Sequence, residues 1–255
     1  MSAPVNRFKT ALAAGQPLVG CWAGFAEAYA TEILGTAGFD WLILDGEHAP
    51  NTLQTLSAQI GILQASSSEA IVRVPVAEDW IIKQVLDAGA QTLLAPMVDT
   101  AAKAERIVRA MRYPPEGVRG SGAALGRASG FGAVPDYIAT ANDQMCLVVQ
   151  IESVAALDNL DAICAVEGVD AAFIGPSDLA NDMGHRGDAN HPEVRAAMQD
   201  ALARIRAAGK APGILGIDAE TTRTYRDWGA QMLGVGIDVL LFANAARALA
   251  RNWQA

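Results

Sequence analysis

Short β-like runs alternate with longer helical patterns eight times along this chain, and no other feature restricts its fold as tightly. The runs lie at residues 18–23, 41–47, 70–76, 92–98, 145–152, 171–175, 212–216 and 231–236. Helical candidates at 28–37, 51–66, 80–88, 101–112, 154–166, 192–208, 219–228 and 239–252 separate them, each with apolar residues at helical spacing. A strand followed by a helix feeds a parallel neighbour. Eight such units in 255 residues predict a closed α/β barrel, the (β/α)8 TIM barrel, as one domain over residues 1–255. Helix boundaries agree: Asn51 reads as a cap, Asp99-Thr100 opens a helix, and His191-Pro192-Glu193 puts proline at a first helical position. Ala88-Gly89 and Ala208-Gly209 read as stops. Residues 114–135 form the one long irregular stretch, with six glycines and two arginines, and read as a candidate lid.

Composition narrows the partners. A formal charge of −9, with 51% apolar and 18% charged residues, argues against nucleic acid and against an anionic membrane surface, leaving small molecules. Cys21, Cys146 and Cys164 are odd in number, lie in apolar surroundings and lack metal-ligand spacing, so they read as reduced core residues of a cytoplasmic protein. The apolar part of residues 1–15 is broken by Gln16-Pro17 before a signal-type core develops, and no window reaches the length of a membrane span.

In a parallel barrel the reacting groups gather where the strands end. That rim collects Trp22, then Asp45, Glu47 and His48, then Arg73, Met97, Gln150 and Glu152, Ser177 and Asp178, Leu215 and Gly236. Asp45 and Glu47 are two residues apart, as are Gln150 and Glu152, so each pair shares a face. A divalent cation would neutralise Glu152 and Asp178 together, and an all-oxygen shell suits Mg²⁺ or Mn²⁺. The alternative is an ion pair from Glu152 or Asp178 to Arg73. Gly175-Pro176-Ser177-Asp178 follows a strand directly, and the N–H groups of Ser177 and Asp178 are its available anion donors. The four lysines, Lys9, Lys83, Lys103 and Lys210, fall away from the rim, so a Schiff base is not expected. No Gly-x-Ser-x-Gly elbow appears, and Gly120 to Gly126 has one residue too many for a nucleotide-cofactor fingerprint. His185 and His191 read as solvated or capping residues. Asp87 is odd: it ends a helix, where its charge opposes the macrodipole, and it reads either as a plain solvated aspartate or as one held by a group outside that helix, with a neighbouring subunit's site as one destination.

The segments Asp45-Gly46-Glu47-His48-Ala49-Pro50, Val72-Arg73-Val74, Gln91 to Met97, Arg112-Tyr113-Pro114-Pro115-Glu116-Gly117-Val118-Arg119-Gly120, Gln150-Ile151-Glu152 and Phe173 to Leu179 together resemble the class II pyruvate aldolases of the 4-hydroxy-2-oxoheptanedioate and 2-keto-3-deoxy-sugar-acid aldolase family. The resemblance implies a barrel of the phosphoenolpyruvate/pyruvate kind. It implies that Glu152 and Asp178 bind a divalent metal (Mg²⁺, Mn²⁺ or Co²⁺), that Arg73 stabilises the pyruvate enolate, and that His48 is the acid/base on the aldol hydroxyl. It further implies that Gln150, Gly175 and the backbone of Ser177 and Asp178 position pyruvate, that Asp45 orients or hydrates the site, that Trp22 and Leu215 shape it, and that Asp87 reaches a neighbour's histidine. A homohexamer built as a trimer of dimers, the last helix exchanged between subunits, and a place in aromatic catabolism complete what it implies. The expected reaction is metal-dependent, reversible cleavage of a 4-hydroxy-2-oxo acid, such as 4-hydroxy-2-oxoheptanedioate, to pyruvate and an aldehyde, such as succinic semialdehyde. The alternatives are a related C–C or P–C lyase or mutase acting on phosphoenolpyruvate-like or acyl-CoA substrates, and a non-catalytic 2-oxo acid binding barrel.

Overall fold

The computed structural model describes residues 1–254. Its strands are β1 (Leu18–Ala23), β2 (Trp41–Asp45), β3 (Glu69–Arg73), β4 (Thr92–Ala95), β5 (Cys146–Ile151), β6 (Val169–Ile174), β7 (Ala211–Leu215) and β8 (Met232–Ile237). They are parallel and neighbour one another in chain order, and β8 bonds back to β1, so the barrel is closed. Closure leaves no unpaired strand edge. The helices are α1 (Arg7–Ala13), α2 (Ala28–Gly35), α3 (Leu53–Leu63), α4 (Asp79–Asp87), α5 (Ala101–Met111), α6 (Tyr137–Ala141), α7 (Val154–Asp158), α8 (Leu160–Cys164), α9 (Pro176–Asp182), α10 (Pro192–Ala207), α11 (Ala219–Asp227) and α12 (Asp238–Arg251). None among the described residues is long and apolar enough to cross a membrane.

The two-residue period of a strand sorts this sequence into two cores. Leu42, Leu44, Val72, Leu147, Val149, Ala172 and Ile174 point outward and pack under the helices. Trp41, Ile43, Ile71, Cys146, Val148, Ala171 and Phe173 point inward and fill the barrel. The inward set is accommodated by glycine on facing strands: a Cβ on Gly20 would lie 2.0 Å from the Trp41 ring, and one on Gly213 would lie 2.4 Å from Phe173. Carried to the strand ends, the same period turns Asp45, Arg73, Gln150 and Glu152 inward.

Several local expectations are corrected. Residues 1–15 contain a helix that the sequence reading left out. Asn6 caps α1, and Phe8 and Leu12 are buried with the barrel's interior cluster, closing the end where the strands begin. Thr52, not Asn51, caps α3, in a reciprocal arrangement with Thr55; Asn51 instead donates to the Asp45 carbonyl at 2.8 Å. The helix expected over 154–166 breaks into α7 and α8 at Asn159. Thr100 and His191 cap α5 and α10 as the sequence suggests.

The candidate lid, residues 114–135, does not cover the rim of its own barrel. It joins α5 to β5, so it lies where strands begin, at the end opposite the functional rim. Two short turns, Ala123–Leu125 and Arg127–Ser129, are tied by the Ser129 hydroxyl, which donates to the Ala123 carbonyl at 2.6 Å and accepts from Gly132 N–H at 2.9 Å. Gly126 lies against the Asp87 backbone, where a Cβ would come within 2.8 Å of its carbonyl.

The interior layering sets a prediction. Gly20→Val drives a branched side chain into Trp41 and should lower stability by about 1–3 kcal/mol, the usual cost of overpacking. Urea unfolding followed by tryptophan fluorescence measures it, and an unchanged midpoint would show that the layer is not tightly packed.

Candidate active site

β2 and β3 pair with Asp45 directly opposite Arg73, so two inward side chains of opposite charge meet at adjacent strand ends. Arg73 donates from Nε to Asp45 Oδ1 at 2.8 Å and from Nη2 to Oδ2 at 2.7 Å, a two-pronged pair whose members are 7% and 5% exposed. Asp45 Oδ1 also accepts the N–H groups of Glu47 at 3.0 Å and His48 at 3.2 Å, so one carboxylate aims the guanidinium and winds the following loop around itself. Burial pushes the Asp45 carboxyl up, but the Arg73 bonds and charge and the two N–H groups outweigh it and hold it below its ordinary value. The third guanidinium nitrogen, Nη1, lies 3.0 Å from Glu47 Oε2 without the alignment of a hydrogen bond. The Arg73 guanidinium also stands 5.8 Å from the Trp22 ring centre.

This pairing removes the alternative in which Arg73 neutralises Glu152 or Asp178. Neither acid has a cationic side-chain partner among the described residues. Glu152 is buried, accepts Met97 N–H at 2.7 Å through Oε1, and meets the Gln150 amide through Oε2. Its carboxyl is raised by burial and, against the Met97 N–H, by the charges of Glu47 and Asp178. Burial likewise raises Glu47, against the pull of Arg73 and His48. Asp178, unlike Glu152, stands exposed at the start of α9 and opens onto the cleft. The Gln150 side-chain amide oxygen, Oε1, is buried with no partner. Gly175 keeps this space open, since a Cβ there would sit 2.7 Å from Glu152 Oε2. Oxygen donors with mutual repulsion and no balancing cation fit a hard divalent ion.

Gly175 caps α9 and Pro176 occupies its first position, which leaves the N–H groups of Ser177 and Asp178 without an acceptor among the described residues. These groups share a cleft of about 520 Å³ with Trp22, Asp45, His48, Arg73, Gln150, Gly175 and Leu215. His48 is two-thirds exposed, and its Nε2 lies 3.8 Å from Glu47 Oε2. Most of the expected rim thus shares one cleft, but Glu47, Met97, Glu152 and Gly236 do not line it: Glu152 lies behind Gln150, and Ile237 instead of Gly236 faces the cleft from the end of β8.

Asp87 does not join it. It ends α4, at the other end of the barrel, and is held by Arg119 Nη2 at 2.7 Å. Arg119 is fully buried, and its guanidinium lies over the Tyr113 ring at 4.5 Å. An outside partner for Asp87 therefore exists within the same chain, and a second carboxylate oxygen faces a groove shared with Lys83 and Gly122. Met97 carries more than its place on the rim suggested. Its φ is +54°, a left-handed conformation rare for a side chain of its size. Glu152 holds its N–H, and Lys103 Nζ holds its carbonyl at 2.6 Å. No sequence signal marks a left-handed methionine.

Residues 18–245 match the HpcH/HpaI aldolase/citrate lyase family. A hydroxypyruvate/pyruvate aldolase of Roseovarius nubinhibens is 63% identical over 254 residues, covering 100% of this chain and 99% of that protein. A 4-hydroxy-2-oxo-heptane-1,7-dioate aldolase of Escherichia coli is 50% identical over 250 residues, 98% of this chain and 95% of that one. Among solved structures, an HpcH/HpaI aldolase/citrate lyase family protein from Burkholderia cenocepacia superposes with a TM-score of 0.95 at 40% identity, covering 98% of this chain and 100% of its own.

The buried pair sets a pH-dependent prediction. Because the folded Asp45 carboxyl titrates below its ordinary 3.8, its stabilisation is complete above that value and is lost as pH falls through the folded one. Asp45→Asn strands Arg73 and should cost about 3–5 kcal/mol at neutral pH, the cost of breaking a buried pair. The gap to the wild type should close in acid, and urea titrations across pH measure both; a gap independent of pH would contradict the linkage.

Proposed function

Since the chain belongs to the HpcH/HpaI aldolase/citrate lyase family, we propose that it cleaves 4-hydroxy-2-oxo acids to pyruvate and an aldehyde and runs the reverse condensation. One observation carries the reading: Arg73 is fixed by Asp45 beside a group of acids that has no cation of its own. Glu152 and Asp178 would hold a divalent ion, Mg²⁺, Mn²⁺ or Co²⁺. When bound, it supplies Lewis-acid charge to the oxygens of the 2-oxo acid.

The remaining steps belong to the chain's own groups. The N–H groups of Ser177 and Asp178 and the Gln150 side chain receive and orient the substrate carboxylate, while Trp22 and Leu215 wall the cleft. His48 takes the proton of the C4 hydroxyl as the C3–C4 bond breaks, the hydroxyl carbon leaves as the aldehyde, and the bond electrons pass to the enolate of pyruvate. Arg73, already oriented, stabilises the negative charge that develops on the enolate oxygen. The proton that His48 holds then passes to C3, directly or through water, which completes pyruvate and returns the imidazole to its neutral form. Asp45 acts by orienting Arg73 and the His48 loop.

The His48 ring has no carboxylate within ion-pairing distance but that of Glu47, at 3.8 Å, and Asp87 lies at the far end of its own barrel, so we assign Asp87 to the site of a neighbouring copy. A homohexamer built as a trimer of dimers would bring the two together. Exposed Leu240, Leu241 and Phe242 on α12, flanking an apolar groove of about 430 Å³ against α2, support exchange of the last helix between copies. We take each chain as a single barrel domain, and three buried, free cysteines favour a reducing, cytoplasmic setting. The names of the relatives support pyruvate or hydroxypyruvate as the nucleophile, with succinic semialdehyde or a smaller aldehyde as its partner.

A coupled assay of pyruvate release from a panel of 4-hydroxy-2-oxo acids tests the reading. Chelation should abolish activity, and His48→Ala or Arg73→Ala should lower it by about 10²–10³-fold with the fold intact. Cleavage that survives chelation, or that neither substitution affects, would sink the mechanism. Inactive His48→Ala and Asp87→Asn chains should regain activity when refolded together, because mixed oligomers contain sites with both groups intact; no recovery would confine Asp87 to a structural role.

A further inference from the structure

The loop between α9 and α10 brings together three side chains that the aldol chemistry does not use. One ligand atom each of His185, His191 and Glu193 lies within 4.8 Å of the others. We propose that these three residues form a second metal site, specific for a nitrogen-preferring transition ion such as Zn²⁺.

The ligand chemistry is the opposite of that in the cleft. Two imidazoles and one carboxylate suit Zn²⁺, Ni²⁺ or Cu²⁺, whereas Mg²⁺ takes oxygen donors and retains its water. The backbone is organised for it: His185 N–H bonds the Ala180 carbonyl at 2.8 Å, Asp188 N–H bonds the His185 carbonyl at 3.0 Å, and His191 N–H bonds the Asp188 carbonyl at 3.2 Å. Asn181 Oδ1 accepts Gly187 N–H at 3.1 Å, which ties the loop back to α9. Glu193 is anchored in the first turn of the sixteen-residue α10, and its Oε2 already lies 2.8 Å from His185 Nε2.

Three costs accompany binding. The imidazoles are stacked, with centres 3.6 Å apart and planes 15° from parallel, so their lone pairs run side by side and the stack must open for both to reach one ion. His191 Nδ1 caps α10 through a long, 3.3 Å bond from Glu193 N–H, which an ion bound at Nδ1 displaces and one bound at Nε2 leaves in place. A cation at a helix N-terminus is also opposed by the dipole, and the Glu193 carboxylate offsets that. Water completes the coordination on the open side, where Glu193 is exposed. The bound ion joins the end of the α9 loop to the start of α10.

Equilibrium dialysis of the full chain against Zn²⁺ tests the site. In Glu152→Gln/Asp178→Asn, which lacks the oxygen ligands of the cleft, one Zn²⁺ per chain should remain. Adding His185→Gln should weaken that binding by at least about tenfold, as should Glu193→Gln, which leaves the His191 cap in place. In the otherwise wild-type chain, His185→Gln alone should lower the Zn²⁺ stoichiometry by one, a readout that does not depend on the double variant folding. Absence of Zn²⁺ from the cleft variant, or affinity unchanged by His185→Gln, overturns the proposal, leaving a plain His185–Glu193 contact with adventitious surface binding.

Discussion

A buried, two-pronged ion pair between Asp45 and Arg73 organises the mouth of this barrel. Parallel register places the two residues opposite one another, and strand alternation turns both inward. The pair then has consequences on either side. It commits two of the three guanidinium nitrogens, holds the third near Glu47, and lets the same carboxylate set the backbone that carries His48. Because Arg73 is occupied there, the charges of Glu152 and Asp178 stay uncompensated, and the site gains both a fixed cation and an unfilled demand for another. A pair that only filled space would be replaceable by apolar side chains at little cost. Here its value lies in orientation.

Much of the architecture was legible because strand-like and helical runs alternate eight times, and eight such parallel units close into a barrel. Which side chains point inward was less so: Trp41 to Leu44 are all apolar, and only the structure sorts Trp41 and Ile43 into the barrel and Leu42 and Leu44 under the helices. The two-residue spacing put Gln150 and Glu152 on one face, but it did not separate the residues that line the cleft from Glu47, Met97, Glu152 and Gly236, which do not. What escaped was set by tertiary contact. Asp45 and Glu47 are equally spaced from a pattern's point of view, and only the register of β2 on β3 reveals which one takes Arg73. Glu152 and Asp178 read as one pair, yet the structure buries Glu152 at the end of β5 and leaves Asp178 open to the cleft in the first turn of α9. The left-handed Met97 has no compositional marker, since its conformation is imposed by Glu152 on one side and Lys103 on the other.

The glycine-rich stretch teaches a related lesson. Its length and composition suggested a lid, but position in the repeat decides location: a segment between a helix and the next strand lies at the opposite end from a segment between a strand and its helix. With Asp87 and the buried Arg119 it builds a second polar surface there, remote from its own cleft. The proposed assembly uses this separation, with one copy's floor lying against another's mouth. The exposed apolar face of α12 and α2 would serve a different contact in the same assembly.

In the proposed mechanism Arg73 and an ion at Glu152 and Asp178 together stabilise an enolate of a 2-oxo acid. Exchange of the pyruvate methyl protons in heavy water, followed by nuclear magnetic resonance, isolates that step from aldehyde binding. Exchange should require a divalent ion and be lost in Glu152→Gln and Arg73→Ala. Pyruvate that binds in the presence of the ion while its methyl protons stay unexchanged would contradict that mechanism.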